Sequence, residues 1–254
     1  MEHDDPADGW FGESVAAVYD DDRGIAYDPA EIERTVDLLE DLASPGPVLE
    51  LAIGTGRIAA PLASRGVEVH GIELSRAMAA RVAGKPGGAG IPVTIGDMAT
   101  TRVDGQFSLV FLVFNTINNL TTQDAQVDCV VNAAAHLRPG GRFVIEVGVP
   151  KLRSLPPGQD TVPFYVGVGP PDGTHRLGLD RYDVVTQQFT SNHVRVERGV
   201  GQFRSIPFRY VWPAELDLMA RIAGLTLEHR WQDWSRSPFT ADSQKHVSVW
   251  SKPA

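Results

Sequence analysis

The chain has 254 residues, with 23 Lys and Arg against 32 Asp and Glu and a formal charge of −9. That length fits one large domain, or one domain with an elaboration, and the acidic total argues against polyanion binding as its main business. The charge is unevenly placed: residues 1–41 hold 14 acids and two bases, 42–149 eight of each, 150–212 eight bases and five acids, and 213–254 five of each. A lone cysteine, Cys129, cannot close an internal disulfide, which fits a reducing compartment. The start, Met1-Glu2-His3-Asp4-Asp5, has the wrong charge for a secretory signal. The most apolar stretch, Phe107 to Phe114, is too short to span a bilayer. The expectation is a cytoplasmic protein with no membrane partner.

In chain order, residues 1–28 form a polar, Asp-rich segment around a small amphipathic piece, Trp10 to Tyr19. Glu31 to Leu42 reads as a helix with Ile32, Thr35, Val36, Leu39 and Leu42 on one face, ended by Pro45-Gly46-Pro47. A strand at Val48 to Ala52 leads through Ile53-Gly54-Thr55-Gly56 into a helix at about Arg57 to Ser64. Val67 to Ile72 is a second strand, with Ser75 as the N-cap of a helix over Met78 to Val82. A third strand covers Pro92 to Ile95 and a fourth Phe107 to Val113. Asp124 to Leu137 reads as a helix, stopped by Pro139-Gly140-Gly141 before a fifth strand at Arg142 to Val147. Continuous apolar strands alternating with amphipathic helices indicate a parallel sheet covered on both faces.

The pattern then changes. Residues 150–175 are rich in Pro and Gly, and 176–212 alternate like strands, most clearly Ile206, Phe208, Tyr210 and Trp212. A long structureless loop is improbable in a compact domain, so residues 150–212 are expected to be an antiparallel insertion. Pro213 to Ala223 reads as a helix capped by Gly224. Leu225 to Asp233 and His246 to Trp250 close the chain as strands with no helical crossover between them, so they should pair antiparallel.

Three strand ends carry the chemistry. Glycines after the first strand allow close backbone approach to a ligand, and the following helix offers free N–H groups and a positive dipole end. Alone this turn is ambiguous, because Gly54-x-Gly56-x-x-Ala59 also fits a dinucleotide pattern. Glu73 ends the second strand, where an acid can take both ribose hydroxyls of an adenosine cofactor. In Gly96-Asp97-Met98, after the third strand, a short acid can accept from an adenine amino group while Met packs on the ring.

Glu50-x-Ala52-x-Gly54-x-Gly56, Glu73, Gly96-Asp97-Met98, the run Leu137 to Gly141 and the terminal strand pair together resemble a class I S-adenosylmethionine-dependent methyltransferase. The resemblance covers residues 31–149 and 213–254 well and 150–212 poorly. It implies a doubly wound, mostly parallel seven-stranded α/β sheet with an antiparallel last strand. It also implies a cofactor-binding domain formed by 31–149 and 213–254, an N-terminal cap at 1–30 and an inserted β lid for the acceptor at 150–212. S-adenosyl-L-methionine is the implied cofactor, S-adenosyl-L-homocysteine the product, and no metal is implied. The implied cofactor residues are Glu50 at the methionine ammonium, Ala52, Gly54, Gly56 and Arg57 around the methionyl and ribose part, and Glu73 at the ribose. Leu74, Met78, Asp97, Met98 and Phe114 complete the set. Ala52 stands where the family usually has its first glycine, which leads us to expect a slightly shifted loop.

The acceptor is less legible. Phe114 and Asn115 fall where the family places residues between cofactor and acceptor, which makes Asn115 a catalytic candidate. Tyr19 resembles the tyrosine with which small-molecule methyltransferases close an N-terminal helix over the cofactor; the alternative is a hydrophobic anchor with a wet hydroxyl. Asn115-Thr116-Ile117-Asn118-Asn119 is not the Asn-Pro-Pro-Tyr type of motif of base-modifying enzymes, so no nucleic-acid partner is expected. The insertion lies where glycine and nucleotide-sugar N-methyltransferases carry a lid. Its Arg209, beside Tyr210 and Trp212, suits an anionic acceptor, unless it belongs to a solvated strand face. The reading is methyl transfer to N or O of a small molecule, with homodimer formation left open. A nicotinamide-dependent oxidoreductase and a non-catalytic binding subunit are its rivals.

Overall fold

The computed structural model describes residues 5–21, 28–43, 45–167 and 175–254. Parts of the expected cap (1–4 and 22–27) and insertion (168–174) therefore lie outside the described residues. A four-residue helix, α1 (Glu13–Ala16), precedes the long α2 (Pro29–Ala43). Asp28 starts α2 by accepting from the Ala30 N–H at 3.0 Å, with Pro29 at a first-turn position that needs no donor. Its Thr35, Val36, Leu38, Leu39 and Leu42 are buried.

The alternation that follows is β1 (Val48–Leu51), α3 (Ala59–Ser64), β2 (Val69–Glu73), α4 (Arg76–Ala79), β3 (Val93–Ile95), β4 (Phe107–Leu112), α5 (Gln123–His136) and β5 (Leu137–Gly148). Then come β6 (Thr161–Gly167), β7 (His175–Asp183), β8 (Gln188–Glu197), β9 (Val200–Arg209), α6 (Pro213–Ile222), β10 (Thr226–Trp231) and β11 (Lys245–Ser251). The first sheet has the order β10-β11-β5-β4-β1-β2-β3. Strands β1 to β5 run parallel, and β11 enters antiparallel beside β5 and is flanked by antiparallel β10. All residues of β1 and β4 are buried, because helices cover both faces and leave no solvated side. One apolar layer joins Leu49, Leu51, Ile72, Phe143 and Trp250 to α5 and α6. The other joins Val48, Leu109, Phe111 and Val249 to α2 and α3.

Strand order reverses between β1 and β4, and the carboxyl ends of strands at such a point flank the crevice where ligands bind in open α/β sheets. The second sheet, β6-β7-β8-β9, is antiparallel throughout. Two boundaries differ from expectation. Strand β5 begins at Leu137, directly after α5, and absorbs the Pro-Gly-Gly run as an irregularity, where Lys252 brackets Gly140 and Gly141 through backbone hydrogen bonds of 3.0 and 2.8 Å. Strand β9 stops at Arg209, so Tyr210 and Trp212 lie beyond it and Trp212 precedes α6.

Candidate cofactor and acceptor site

The turn after β1 is built from left-handed residues. Ala52, Gly54 and Gly56 have φ of +53°, +60° and +79°. At the two glycines this conformation costs little, but at Ala52 a side chain enters a region that disfavours L-residues by about 1–2 kcal/mol. Ala52 takes the left-handed conformation that a glycine would adopt freely. The fit below is close. A Cβ on Gly56 would stand 3.1 Å from Val82 Cγ1, and one on Gly54 3.6 Å from Met78 Cε. Buried Met78 is therefore the floor of the turn. In β2, a Cβ on Gly71 would come within 2.6 Å of Ile53 Cδ1, so this glycine admits the turn against the sheet.

Parallel pairing lines up the acids along one edge. Register sets Glu50 opposite Gly71 and Glu73 opposite Ile95, and the Gly96 N–H donates to the Glu73 carbonyl at 2.9 Å. Glu50 is 3% exposed, and its Oε2 has no hydrogen-bond partner among the described residues. Burial pushes its carboxyl well above the usual carboxylate range, with the Arg57 charge and a backbone hydrogen bond from Ala59 opposing that rise. Glu73 is buried differently: Oε2 accepts from the Gly54 N–H at 2.8 Å and Oε1 from the Ser75 N–H at 2.9 Å. Burial raises its pKa against those bonds. Glu73 thus braces the glycine turn from below. Asp97 is exposed, and its Oδ1 accepts from the Ala99 N–H at 2.8 Å. Met98 packs into the α5-side core, with its carbonyl held by Asn132 Nδ2 at 2.7 Å. Leu74 is 47% exposed at the same edge.

The N-terminal segment crosses this edge and is pinned to it. Thr55 Oγ1 donates to Asp20 Oδ1 at 2.8 Å, and Lys85 Nζ to Asp20 Oδ2 at 2.7 Å. Asp8 Oδ1 accepts from the Arg76 N–H at 2.7 Å, Ser75 Oγ donates to the Phe11 carbonyl at 2.7 Å, and Arg81 holds both oxygens of Glu13. Tyr19 thereby faces the turn. The Arg57 guanidinium carbon is 3.8 Å from the Phe114 ring centroid and 6.0 Å from that of Tyr19, a cation over aromatic faces.

Across the cleft, the chain leaves β4 through two consecutive left-handed residues, Phe114 and Asn115, with φ of +57° and +62°. Such strain persists only where surrounding bonds over-determine it, and here they do. Phe114 N–H donates to Glu146 Oε2 at 3.1 Å, Asn115 N–H to the Glu146 carbonyl at 3.2 Å, and Gly148 N–H to Asn115 Oδ1 at 2.5 Å. Lys245 Nζ ties Glu146 and Glu31 together at 2.8 and 2.7 Å. Asn115, the catalytic candidate, thus has its side-chain oxygen committed to shaping this turn. Sequence reasoning missed Glu146 and Lys245, whose roles come from β11 being inserted beside β5. The structure brings Tyr19, Glu50, Ala52, Gly54, Arg57 and Phe114 around one narrow, partly open cleft, with Ile53, Thr55, Ile58, Val113 and Thr116. Glu73, Leu74, Asp97 and Met98 continue the row along the sheet edge.

The arginine clamp is corrected. Arg209 is 4% exposed, with Nη2 2.7 Å from Glu215 Oε1 and Nη1 on Gln126 Oε1. Gln126 Nε2 returns a bond to the Arg209 carbonyl at 3.0 Å. Its guanidinium joins β9 to α5 and α6, and gripping an acceptor would take Glu215's charge partner, leaving Gln123 and Gln187 to hold it. Tyr210 is also buried, edge-on to Trp212 and 5.8 Å from Tyr182, while Trp212 is 37% exposed.

A sheet reversing at β1/β4, an antiparallel strand between β5 and the edge, and a glycine turn flanked by acids on successive strand ends define a class I methyltransferase site. Residues 48–141 match the family model described as a methyltransferase domain. The chain is 37% identical to the CcbJ methyltransferase of Streptomyces caelestis, over 96% of this chain and 98% of that one, with a TM-score of 0.84. It is 26% identical over 249 residues to the cypemycin N-terminal methyltransferase of a Streptomyces species, covering 88% of this chain and 96% of that protein. In fold it also matches CalS10, a SAM-bound amino pentose methyltransferase of Micromonospora echinaspora (17% identity, 88% and 90% coverage, TM-score 0.67). The chain belongs to the S-adenosylmethionine-dependent methyltransferases, and S-adenosylmethionine is its cofactor.

Proposed function

We propose that the chain transfers the methyl group of S-adenosylmethionine to a nitrogen of a small molecule, with the N-terminal segment acting as cap and the second sheet as acceptor lid. The observation that carries the cofactor placement is the buried Glu50 Oε2, without a partner among the described residues, at a cleft whose cofactor has an ammonium to offer. Gly54 and Gly56 give the backbone close approach, Glu73 and Asp97 lie along the edge for ribose and adenine, and Tyr19 and Phe114 shield the methyl-transfer space from water.

S-adenosylmethionine supplies an activated methyl on a sulfonium, and in-line positioning in a dry pocket supplies much of the remaining rate. The Phe114 end of the described lining offers the ring, the Tyr19 phenol and the Thr116 hydroxyl. That suits a nucleophile needing no strong base at the moment of attack, as a neutral amine does not. The relative named a cypemycin N-terminal methyltransferase, with the structural neighbour named a sugar N-methyltransferase, supports the choice of nitrogen. The expected anionic acceptor loses Arg209 as its clamp. Calorimetry with S-adenosylhomocysteine and with NAD, followed by methyl transfer to paired amines and alcohols, tests the reading. Binding of the former and methylation of amines are expected; binding of NAD alone, or methylation of alcohols only, overturns it.

A further inference from the structure

The second sheet has one face turned inward, and that face carries a carboxylate the cofactor reading does not use. Along β7, Gly178, Asp180 and Tyr182 are buried while Arg181 and Asp183 between and beyond them are exposed. Directly opposed residues of antiparallel strands share a face. Pairing therefore adds Ser191 and Ile206 beside Asp180, Phe189 and Phe208 beside Tyr182, and His193 and Arg204 beside Gly178. Arg204 donates to the Trp10 carbonyl. The face thus looks onto the N-terminal segment that brings Tyr19 to the cleft, and at its other end β9 packs on the turn Thr116–Asn119 that follows Phe114 and Asn115.

Asp180 is 8% exposed, and its Oδ1 has no hydrogen-bond partner among the described residues. Burial raises its pKa, while Ser191, Lys151 and His193 favour the ionised form, yet none of the ion pairs among the described residues involves it. Ser191 Oγ lies 3.2 Å from His193 Nε2 on the same face. Buried carboxylates in folded proteins are ordinarily paired or hydrogen-bonded, so an oxygen left over on the face that meets the N-terminal segment calls for a donor from outside the chain. A second such oxygen, Asn118 Oδ1, is buried in the turn against β9. Two buried acceptor atoms without donors among the described residues suit a ligand that brings N–H groups.

The geometry points to Asp180 as the residue that binds the amino group of the methyl acceptor, an inference that rests on the N-methyl-transfer reading above. It assigns recognition of a small amine, through N–H donation to the Asp180 carboxylate, to the inward face of the lid, where composition and charge had suggested an anion.

The test uses the full chain loaded with S-adenosylhomocysteine and titrates three amines, benzylamine, glucosamine and glycylglycine, against benzyl alcohol, N-acetylglucosamine and N-acetylglycylglycine. At least one amine should bind at least about tenfold more tightly than its neutral counterpart, the scale of a charge-assisted hydrogen bond. In Asp180→Asn that preference should vanish with S-adenosylhomocysteine affinity unchanged. The melting temperature should not fall, since the amide keeps the shape and removes a buried charge. The inference is overturned if no amine binds the loaded protein, if the preference survives Asp180→Asn, or if that variant melts several degrees lower, which would make the carboxylate structural. Failure of S-adenosylhomocysteine to bind the unmodified chain would bring down the cofactor reading itself, and the inference with it.

Discussion

Replacing Glu50 with Gln separates stability from ligand binding. The carboxylate is 3% exposed and has one oxygen without a partner among the described residues, and leaving such a group unsatisfied costs about 1–3 kcal/mol. Burial raises its folded-state pKa above the ordinary value of 4.5. A raised pKa means that the folded chain keeps its full stability below the unfolded value and loses it as pH climbs through the folded one. Gln mimics the protonated form at every pH. The ligand-free variant should therefore melt with the parent below about pH 4 and above it at pH 8; at about 2–4 °C per kcal/mol for a chain of this size, a gain near 1 kcal/mol is measurable. Binding should move the other way. Loss of a charge-assisted bond to the cofactor's ammonium removes about 1.5–3 kcal/mol, or roughly 10- to 150-fold in the S-adenosylhomocysteine dissociation constant. Thermal melts across pH with and without S-adenosylhomocysteine, alongside calorimetry, read both effects. A variant that binds as tightly as the parent would refute the assignment of Glu50, and one that melts lower at pH 8 would refute the electrostatic reasoning.

Ala52→Gly should raise stability by about 0.5–1 kcal/mol, because relief of the left-handed strain exceeds the added flexibility of the unfolded chain; a lower melting temperature would contradict the assigned backbone. Gly71→Ala should cost about 1–3 kcal/mol by driving a methyl into Ile53, seen as an earlier denaturant midpoint. Arg209→Ala should cost about 1–3 kcal/mol, since it removes a buried guanidinium from Gln126 and leaves the part-buried Glu215 to Gln123 and Gln187; unchanged stability with altered acceptor turnover would restore Arg209 to the site. Tyr19→Ala should weaken S-adenosylhomocysteine binding by at least about tenfold, the loss of one large aromatic contact, checked by calorimetry.

The parallel sheet was legible because strands buried on both faces must be continuously apolar, as in Phe107 to Leu112, and because the chain punctuates them with glycine and proline. The terminal antiparallel pair was legible from the short link between its strands. What sequence could not carry was the direction of individual side chains. Nothing in Phe114-Asn115 announces two left-handed residues, since that conformation is imposed by Glu146 on a strand distant in sequence. Arginine beside two aromatics read as an exposed clamp, whereas the termination of β9 at Arg209 turns the guanidinium inward to Glu215 and Gln126. The alternation of Ile206, Phe208, Tyr210 and Trp212 described a face correctly as far as Phe208 and then ran past the end of the strand.

The uneven charge acquires a structural meaning from where the acids point. A strongly acidic cap over a cationic cofactor suggests long-range attraction, but Asp8, Glu13 and Asp20 spend their carboxylates on the Arg76 N–H, on Arg81, and on Thr55 with Lys85. These contacts hold the cap to the α4 side of the glycine turn. The Glu13–Arg81 and Asp20–Lys85 pairs involve partly exposed groups, each worth well under 1 kcal/mol and weakened by salt, whereas Asp8 is buried against the first turn of α4. The charges that meet ligand on this reading are instead the buried ones, Glu50 in the first sheet and Asp180 in the second. Each lies on a rigid strand and each lacks a partner for one oxygen among the described residues. On this reading the exposed pairs fasten the N-terminal segment and contribute little to recognition, while the two buried carboxylates, costly to leave without a donor, are completed by ligand.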